Sequence, residues 1–179
     1  MSNTVHGLRR RLATVAEPRL RAARPTDDEL LSAFLTRLSP ASAYSRFLTG
    51  VGGPPSARLL AALLPERPRG GAVLGFLDGE LVGHALWARL RDPAVAEIAI
   101  VVADVHQRRG VGTALARAVI DDLVAHGVED IEVFSSTDNR AVARMVARAA
   151  PDARRELDGP TATYTFAALG RVESVSRTA

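Results

Sequence analysis

Along the chain the spacing of apolar residues switches from helical to strand-like near residue 70, and this switch organises the reading. Arg19 to Arg24 alternates apolar and charged positions, which predicts a short first strand. Thr26 followed by Glu29 reads as a capping box, and Leu30, Leu31, Phe34, Leu35 and Leu38 then form one helical face. Ser39-Pro40 opens a second helix with proline at its first position, ending near Gly50. A third is predicted from Pro54 to Leu64. Val73–Leu77 and Leu81–Ala88 then repeat with period two around Asp78-Gly79, a hairpin signal. Ala94 to Ala103 is a nearly continuous apolar run and predicts a buried strand. Val111, Leu115, Val119 and Leu123 recur every four residues in a helix closed by Gly127. Val128–Ser135 predicts a strand, Asp138 a capped helix to about Ala149, and Thr161–Ala168 a final strand. Helices, a meander and strand–helix–strand–helix–strand in that order predict a single α/β (α+β) domain.

At 179 residues the chain suits one domain with a sizeable core, and 47% of it is apolar. Nothing approaches the uninterrupted apolar stretch of a membrane span. Arg9-Arg10-Arg11 is followed by no apolar stretch, so no secretory leader is expected. There is no cysteine. That excludes thiolate nucleophiles and cysteine-held metal, and it fits a cytoplasmic protein. Every one of the 23 basic residues is arginine, which holds the isoelectric point high while the net charge is only +3. Six arginines against Glu17 stand in the first 25 residues. No aromatic side chains are interleaved to stack bases, so a solvated basic extension over residues 1–18 is expected and nucleic-acid binding is disfavoured.

The chemistry concentrates at Gln107-Arg108-Arg109-Gly110-Val111-Gly112-Thr113, between the apolar strand and a helix start. A helix N-terminus presents unpaired N–H groups and a partial positive charge, which suits an anion. Gly110 permits close approach of backbone and ligand, and Gly112 is read as allowing tight helix–strand packing. A P-loop needs a lysine that this chain lacks, and a dinucleotide fingerprint needs three spaced glycines. Gln-x-x-Gly-x-Gly after a buried strand resembles the pyrophosphate loop of the GNAT acetyltransferase superfamily. The resemblance covers residues 19–169, with 170–179 left as a tail. "RAARPTDDELLSAFLTRLSPASAYSRFL", "AEIAIVVADVHQRRGVG" and "STDNRAVARMVAR" resemble its bacterial protein-lysine acetyltransferase branch.

The resemblance implies a mixed central sheet of six to seven strands, splayed in the middle and flanked by helices. It implies acetyl-CoA as co-substrate, with a primary amine as acceptor; the branch favours a protein lysine. It places the backbone of Ile100, Val101 and Val102 along the pantetheine arm, in the manner of an added strand. Arg108, Arg109, Gly110, Val111, Gly112 and Thr113 match the pyrophosphate-binding segment. Asn139 matches a residue that often hydrogen-bonds the cofactor; read from the residues alone, it is equally a helix cap beside Asp138.

Transfer requires a neutral amine, and only about one lysine side chain in 2,500 is neutral at pH 7, a cost of about 4.6 kcal/mol. A base removes much of that. Glu97 is the candidate. It is a lone carboxylate in an apolar strand, on one face with Ala99 and Val101. Partial burial raises a carboxyl toward a useful pKa, and the matching position in the branch is an acidic general base. His84 on the neighbouring strand and His106 before the loop are weaker candidates. Val146 stands where many family members carry a tyrosine that protonates the departing thiolate; Tyr164 on the last strand is the candidate substitute. A catalytically weak acyl-CoA-binding sensor of the same fold is the competing reading.

Overall fold

The computed structural model describes residues 17–48 and 54–168. Most of the expected basic extension, the C-terminal tail and the predicted end of the second helix near Gly50 lie outside the described residues. The elements run β1 (Arg19–Ala22), α1 (Asp28–Thr36), α2 (Pro40–Phe47), α3 (Ala57–Leu63), β2 (Gly70–Leu77), β3 (Glu80–Arg89), β4 (Val95–Val102), α4 (Val111–Ala125), β5 (Asp130–Ser136), α5 (Arg140–Ala149), β6 (Arg154–Asp158) and β7 (Thr161–Ala167). The sheet has seven strands in the order β1-β2-β3-β4-β5-β7-β6. Its pairings are antiparallel except β4 with β5. This is the expected mixed sheet with helices on both faces.

Local chemistry explains most boundaries. Asp78 and Gly79 both have positive φ, 50° and 84°, as a two-residue hairpin turn of the primed type requires. Ser39 Oγ accepts from Ser42 N at 3.1 Å, with Pro40 at the first helical position. Ser56 Oγ caps α3 by accepting from Leu59 N at 3.2 Å, so that helix starts three residues later than Pro54 predicts.

At the start of α1 the expected Thr26 cap is replaced by Asp27. Its carboxylate accepts the Arg24 N–H at 2.7 Å and both guanidinium nitrogens of Arg21 at 2.7 Å. That carboxylate makes no capping bond to α1 itself; its charge-assisted, bidentate pair ties the helix start back to β1. The Arg21 hydrogen bonds also hold Asp27 below the usual carboxylate range.

Two apolar layers sandwich the sheet. On one face α4 brings Val111, Leu115, Val119 and Leu123, all at most 1% exposed, against β2 to β5. Full burial of each such side chain is worth about 2 kcal/mol. The close approach depends on Gly83, where a Cβ would stand 2.7 Å from Leu115 Cδ1 and 3.3 Å from Val101 O. On the other face α1 and α3 pack Leu31, Phe34, Leu63 and Leu64 onto Leu74, Leu86 and Val101. One polar tie joins α4 to β3: the buried Trp87 donates Nε1–H to Asp122 Oδ2 at 2.6 Å, and Arg67 donates to Asp122 Oδ1 at 2.5 Å.

β6 was not predicted. Its residues Arg154-Arg155-Glu156-Leu157-Asp158 are all exposed, so no apolar alternation marks them, and the strand exists by pairing with β7 across the Gly159 turn.

Candidate active site

The site forms where two neighbouring strands part. β4 and β5 pair only at Val95–Asp130, Ala96–Ile131 and Glu97–Glu132. Beyond them Ile98–Val102 has no partner on the β5 side, although β4 stays paired to β3 through Val102. The splay expected between the central strands is therefore present, and it lies between β4 and β5. β4 mixes buried and partly exposed residues along its whole length, in the part paired to β5 as well as beyond it.

Which backbone groups face the gap follows from strand parity. Ala103 donates its N–H to Val82 O at 2.9 Å, toward β3. The register is unbroken, so Val101 and Ala99 also turn toward β3, and Ile98, Ile100 and Val102 turn toward the gap. Ile100 and Val102 thus stand on the open edge as expected. Val101 is a correction: its backbone belongs to the β3 ladder, and its side chain is core at 6% exposure.

At the end of β4 the chain makes a short 3-10 turn, Asp104–His106, and then the predicted loop. Arg108 (φ 57°) and Gly110 (φ 85°) are both left-handed, which turns the segment into the N-terminus of α4. The first helical bond is Ala114 N to Gly110 O at 3.0 Å, leaving the N–H groups of Val111, Gly112 and Thr113 without helical partners. Gly110 is required by its φ, and a Cβ there would meet nothing within 4 Å. The packing role expected of Gly112 is not supported. A Cβ on it would make ordinary contacts, 3.6 Å to Met145 Cε and 3.7 Å to Val102 Cγ2. Arg109 reaches back to His106 Nδ1 at 3.1 Å, so that histidine, partly exposed in the turn past the end of β4, belongs to the loop.

A hydrogen-bond bridge that sequence reasoning missed ties the loop to α2. Gln107 Nε2 donates to Val102 O and to Ser42 Oγ, each at 3.1 Å, and Ser42 Oγ donates to Asp104 Oδ1 at 3.0 Å. Gln107 belongs to the recognised motif, but its partner lies 65 positions away and carries no local signal.

Glu97 is the last β4 residue paired to β5, half-buried on the face covered by α1 to α3. Burial pushes its carboxyl up, the Arg46 guanidinium opposes this, and the Glu132 carboxylate adds to the upward push; the net direction is up. On the same face of β5, two residues beyond Glu132, Phe134 is 51% exposed.

His84 is not available as a base. It is fully buried, donates Nε2–H to Leu63 O at 2.9 Å, and burial together with the Arg46 charge pushes its pKa down to about 4. It is a structural histidine. Tyr164 is core on the opposite face from Glu97, with the Arg155 guanidinium 5.7 Å from its ring. Val146 is buried in the same layer.

Asn139, rather than Asp138, caps α5: its Oδ1 accepts from Val142 N at 3.2 Å. Among the described residues no group of three or more His, Asp or Glu is arranged to hold a metal ion. No helix there is long and apolar enough to cross a membrane.

A strand edge opened by splay, leading to an amide-rich helix start, is the arrangement of a known family. The family model for the acetyltransferase (GNAT) family matches residues 41–150. The chain belongs to the GNAT family of acetyltransferases. It is similar to acetyltransferase PA5475 of Pseudomonas aeruginosa, 32% identical over 128 residues that make up 69% of this chain and 68% of the relative. Among solved structures it resembles the GNAT domain of S. lividans PAT, with a TM-score of 0.76 at 20% identity over 84% of this chain and 90% of that one. It also resembles yncA of Salmonella typhimurium, a putative acetyltransferase solved with acetyl-CoA. There the TM-score is 0.63 at 15% identity, over 86% of this chain and 95% of that one. These structural likenesses establish the GNAT fold.

Proposed function

We propose that this GNAT protein is an N-acetyltransferase that moves the acetyl group of acetyl-CoA directly to a primary amine, with Glu97 as general base. The observation that carries the proposal is the parting of β4 from β5 immediately after Glu97–Glu132. From Glu97 to Val102 the open edge runs roughly 16 Å, at about 3.3 Å per residue. That span suits an extended pantetheine arm, with Ile100 and Val102 offering backbone groups to it and the segment Arg108–Thr113 receiving the pyrophosphate. Asn139 keeps its cap through Oδ1 and has its amide nitrogen left for a ligand.

Glu97 takes a proton from the attacking ammonium, directly or through water. The freed amine nitrogen forms its bond to the thioester carbonyl carbon, the carbon–sulfur bond breaks, and the thiolate leaves. With no cysteine in the chain, transfer is direct rather than through a thioester on the enzyme. Thiols of this kind leave near pKa 8.5 at the cysteine reference value, so departure does not depend on a protein acid. This accounts for Val146 in the place of a tyrosine.

The acceptor side favours a cation before the proton is removed. Glu97, Glu132 and the exposed ring of Phe134 share one face, and Tyr44 on α2 is 54% exposed. Carboxylates and aromatic faces together suit an alkylammonium such as a lysine side chain. The similarity to the S. lividans PAT domain supports a protein lysine as acceptor. The test is release of free thiol from acetyl-CoA, with and without lysine-bearing peptides, N-terminal peptides and polyamines. Turnover that depends on one amine class supports the proposal. Tight acetyl-CoA binding without turnover on any of them supports an acyl-CoA sensor instead.

A further inference from the structure

Arg46 lies in the last turn of α2, and its Nε is buried with no hydrogen-bond partner. Among the described residues no carboxylate lies within ion-pairing distance of it. Its guanidinium rests 5.1 Å from the centre of the Phe47 ring. Arg46 as a whole is only partly buried, but a guanidinium cannot shed its charge by losing its proton, and an enclosed N–H without a partner is costly. Its retention calls for a role.

The fold indicates what it faces. α2 packs across β4 and reaches β5. Ser42, one helical turn before Arg46 and on the same helix face, is held by Asp104 and Gln107 just past the end of β4. Phe47, next to Arg46, packs with Ala99 and Val101, which share the Glu97 face of β4. The end of α2 that carries Arg46 therefore lies over the face Glu97 occupies, and the Arg46 charge acts on both Glu97 and the buried His84, registered opposite Val101.

Two charged groups from two other elements act on the Glu97 carboxylate: Arg46 on α2 is the cation, and Glu132 on β5 is a like charge in direct register. From β3 it meets only Ala88 in register, and the neutral His84 lies further along, opposite Val101. Two adjacent carboxylates with no cation share a proton rather than ionise together. A cation in contact would relieve that but would occupy the oxygens needed to accept a proton. A cation close by but outside contact relieves it and leaves the lone pairs free.

We propose that Arg46 is a positioning residue for Glu97: set by the Ser42 anchor, it offsets Glu132 and holds the Glu97 carboxylate free and charged at the mouth of the gap. The proposal rests on Glu97 being the base, and the two are separable by experiment.

The test is a carbon-13 NMR titration of glutamate-labelled protein, with Glu97 assigned through Glu97→Gln, in wild type, Arg46→Met and Arg46→Lys. The Glu97 midpoint should move up in Arg46→Met and return toward wild type in Arg46→Lys. The acid limb of kcat/KM for a turned-over amine should move with it, while the high-pH plateau is kept. A role confined to packing α2 would instead lower activity equally at every pH. If Arg46→Met does not fold, by its melting temperature and acetyl-CoA affinity, Arg46→Gln takes its place. An unchanged midpoint on loss of the charge overturns the inference whatever the base is. A moved midpoint with an unmoved acid limb overturns Glu97 as base, and Arg46's part in the reaction with it.

Discussion

Glu97 and Glu132 are the last residues that β4 and β5 hold in register, and the gap between the strands begins immediately beyond them. A carboxylate pair at the apex of a splay has two consequences. It marks where a second strand-like ligand can start, and it lifts the pKa of at least one member through burial and like charge.

The pH dependence of transfer follows. Glu97 accepts a proton only when ionised, and its pKa is raised, so kcat/KM falls on the acid side beginning above the ordinary carboxylate range. Glu97→Gln should lower kcat/KM by roughly 10²–10⁴-fold at pH 7, the usual worth of a general base. The defect should shrink as pH approaches the amine's own pKa, and acetyl-CoA affinity should stay near wild type because the amide keeps the shape. A defect of equal size at every pH would assign Glu97 to substrate positioning instead.

The bridge from the loop to α2 predicts a coupling between cofactor binding and the acceptor side. Gln107→Leu removes donors to Val102 O and Ser42 Oγ. Calorimetry should show acetyl-CoA affinity reduced by up to about thirtyfold, since two hydrogen bonds at roughly 1 kcal/mol each total about 2 kcal/mol and 1.4 kcal/mol is tenfold. The melting temperature should fall by only a few degrees, so that the protein stays folded for the binding measurement. Unchanged affinity would mean that the bridge does not shape the loop.

His84 predicts a loss of stability in acid. Its folded pKa is about 4, below the unfolded value near 6.5. The unfolded chain therefore binds a proton first. Stability falls as pH drops below about 6.5, and the loss is complete below about pH 4. The full cost is about 3 kcal/mol, of which about 2 kcal/mol is felt at pH 5. Urea unfolding at pH 7 and pH 5 should show this difference. His84→Gln should lack most of it, whereas an equal acid loss in that variant would locate the effect elsewhere.

The parts of the molecule governed by near neighbours were legible in the sequence. Asp78-Gly79 announced its hairpin because a two-residue primed turn demands those residues locally. The spacing of Val111, Leu115, Val119 and Leu123 announced α4 because the whole stripe is buried. Glu97 stood out because a carboxylate in an apolar strand is conspicuous. What depends on distant pairing was not legible. The apolar run of β4 by itself says nothing about losing β5 after three pairs; the splay is expected only through the family resemblance, and the parity that turns Val101 toward β3 appears only in the register. β6 carries no apolar pattern because nothing covers it. Asp138 and Asn139 are adjacent cap formers, and only the turn geometry selects the second. Ser42 and Arg46 sit in an unremarkable helix, and their importance appears only when α2 is laid over β4.

The central claim is that the splay and the loop together hold acetyl-CoA, with the pyrophosphate on the Arg108–Thr113 amides. The most direct measurement is isothermal titration of acetyl-CoA into wild type and Gly110→Asp, with the melting temperature of each as a control for folding. The substituted residue is strained at a φ of 85° and brings a carboxylate to the helix start, where negative charge from the ligand is expected. Saturable binding to wild type and greatly weakened binding to a folded Gly110→Asp is the predicted result. No binding to wild type, or equal affinity in the two proteins, would contradict it.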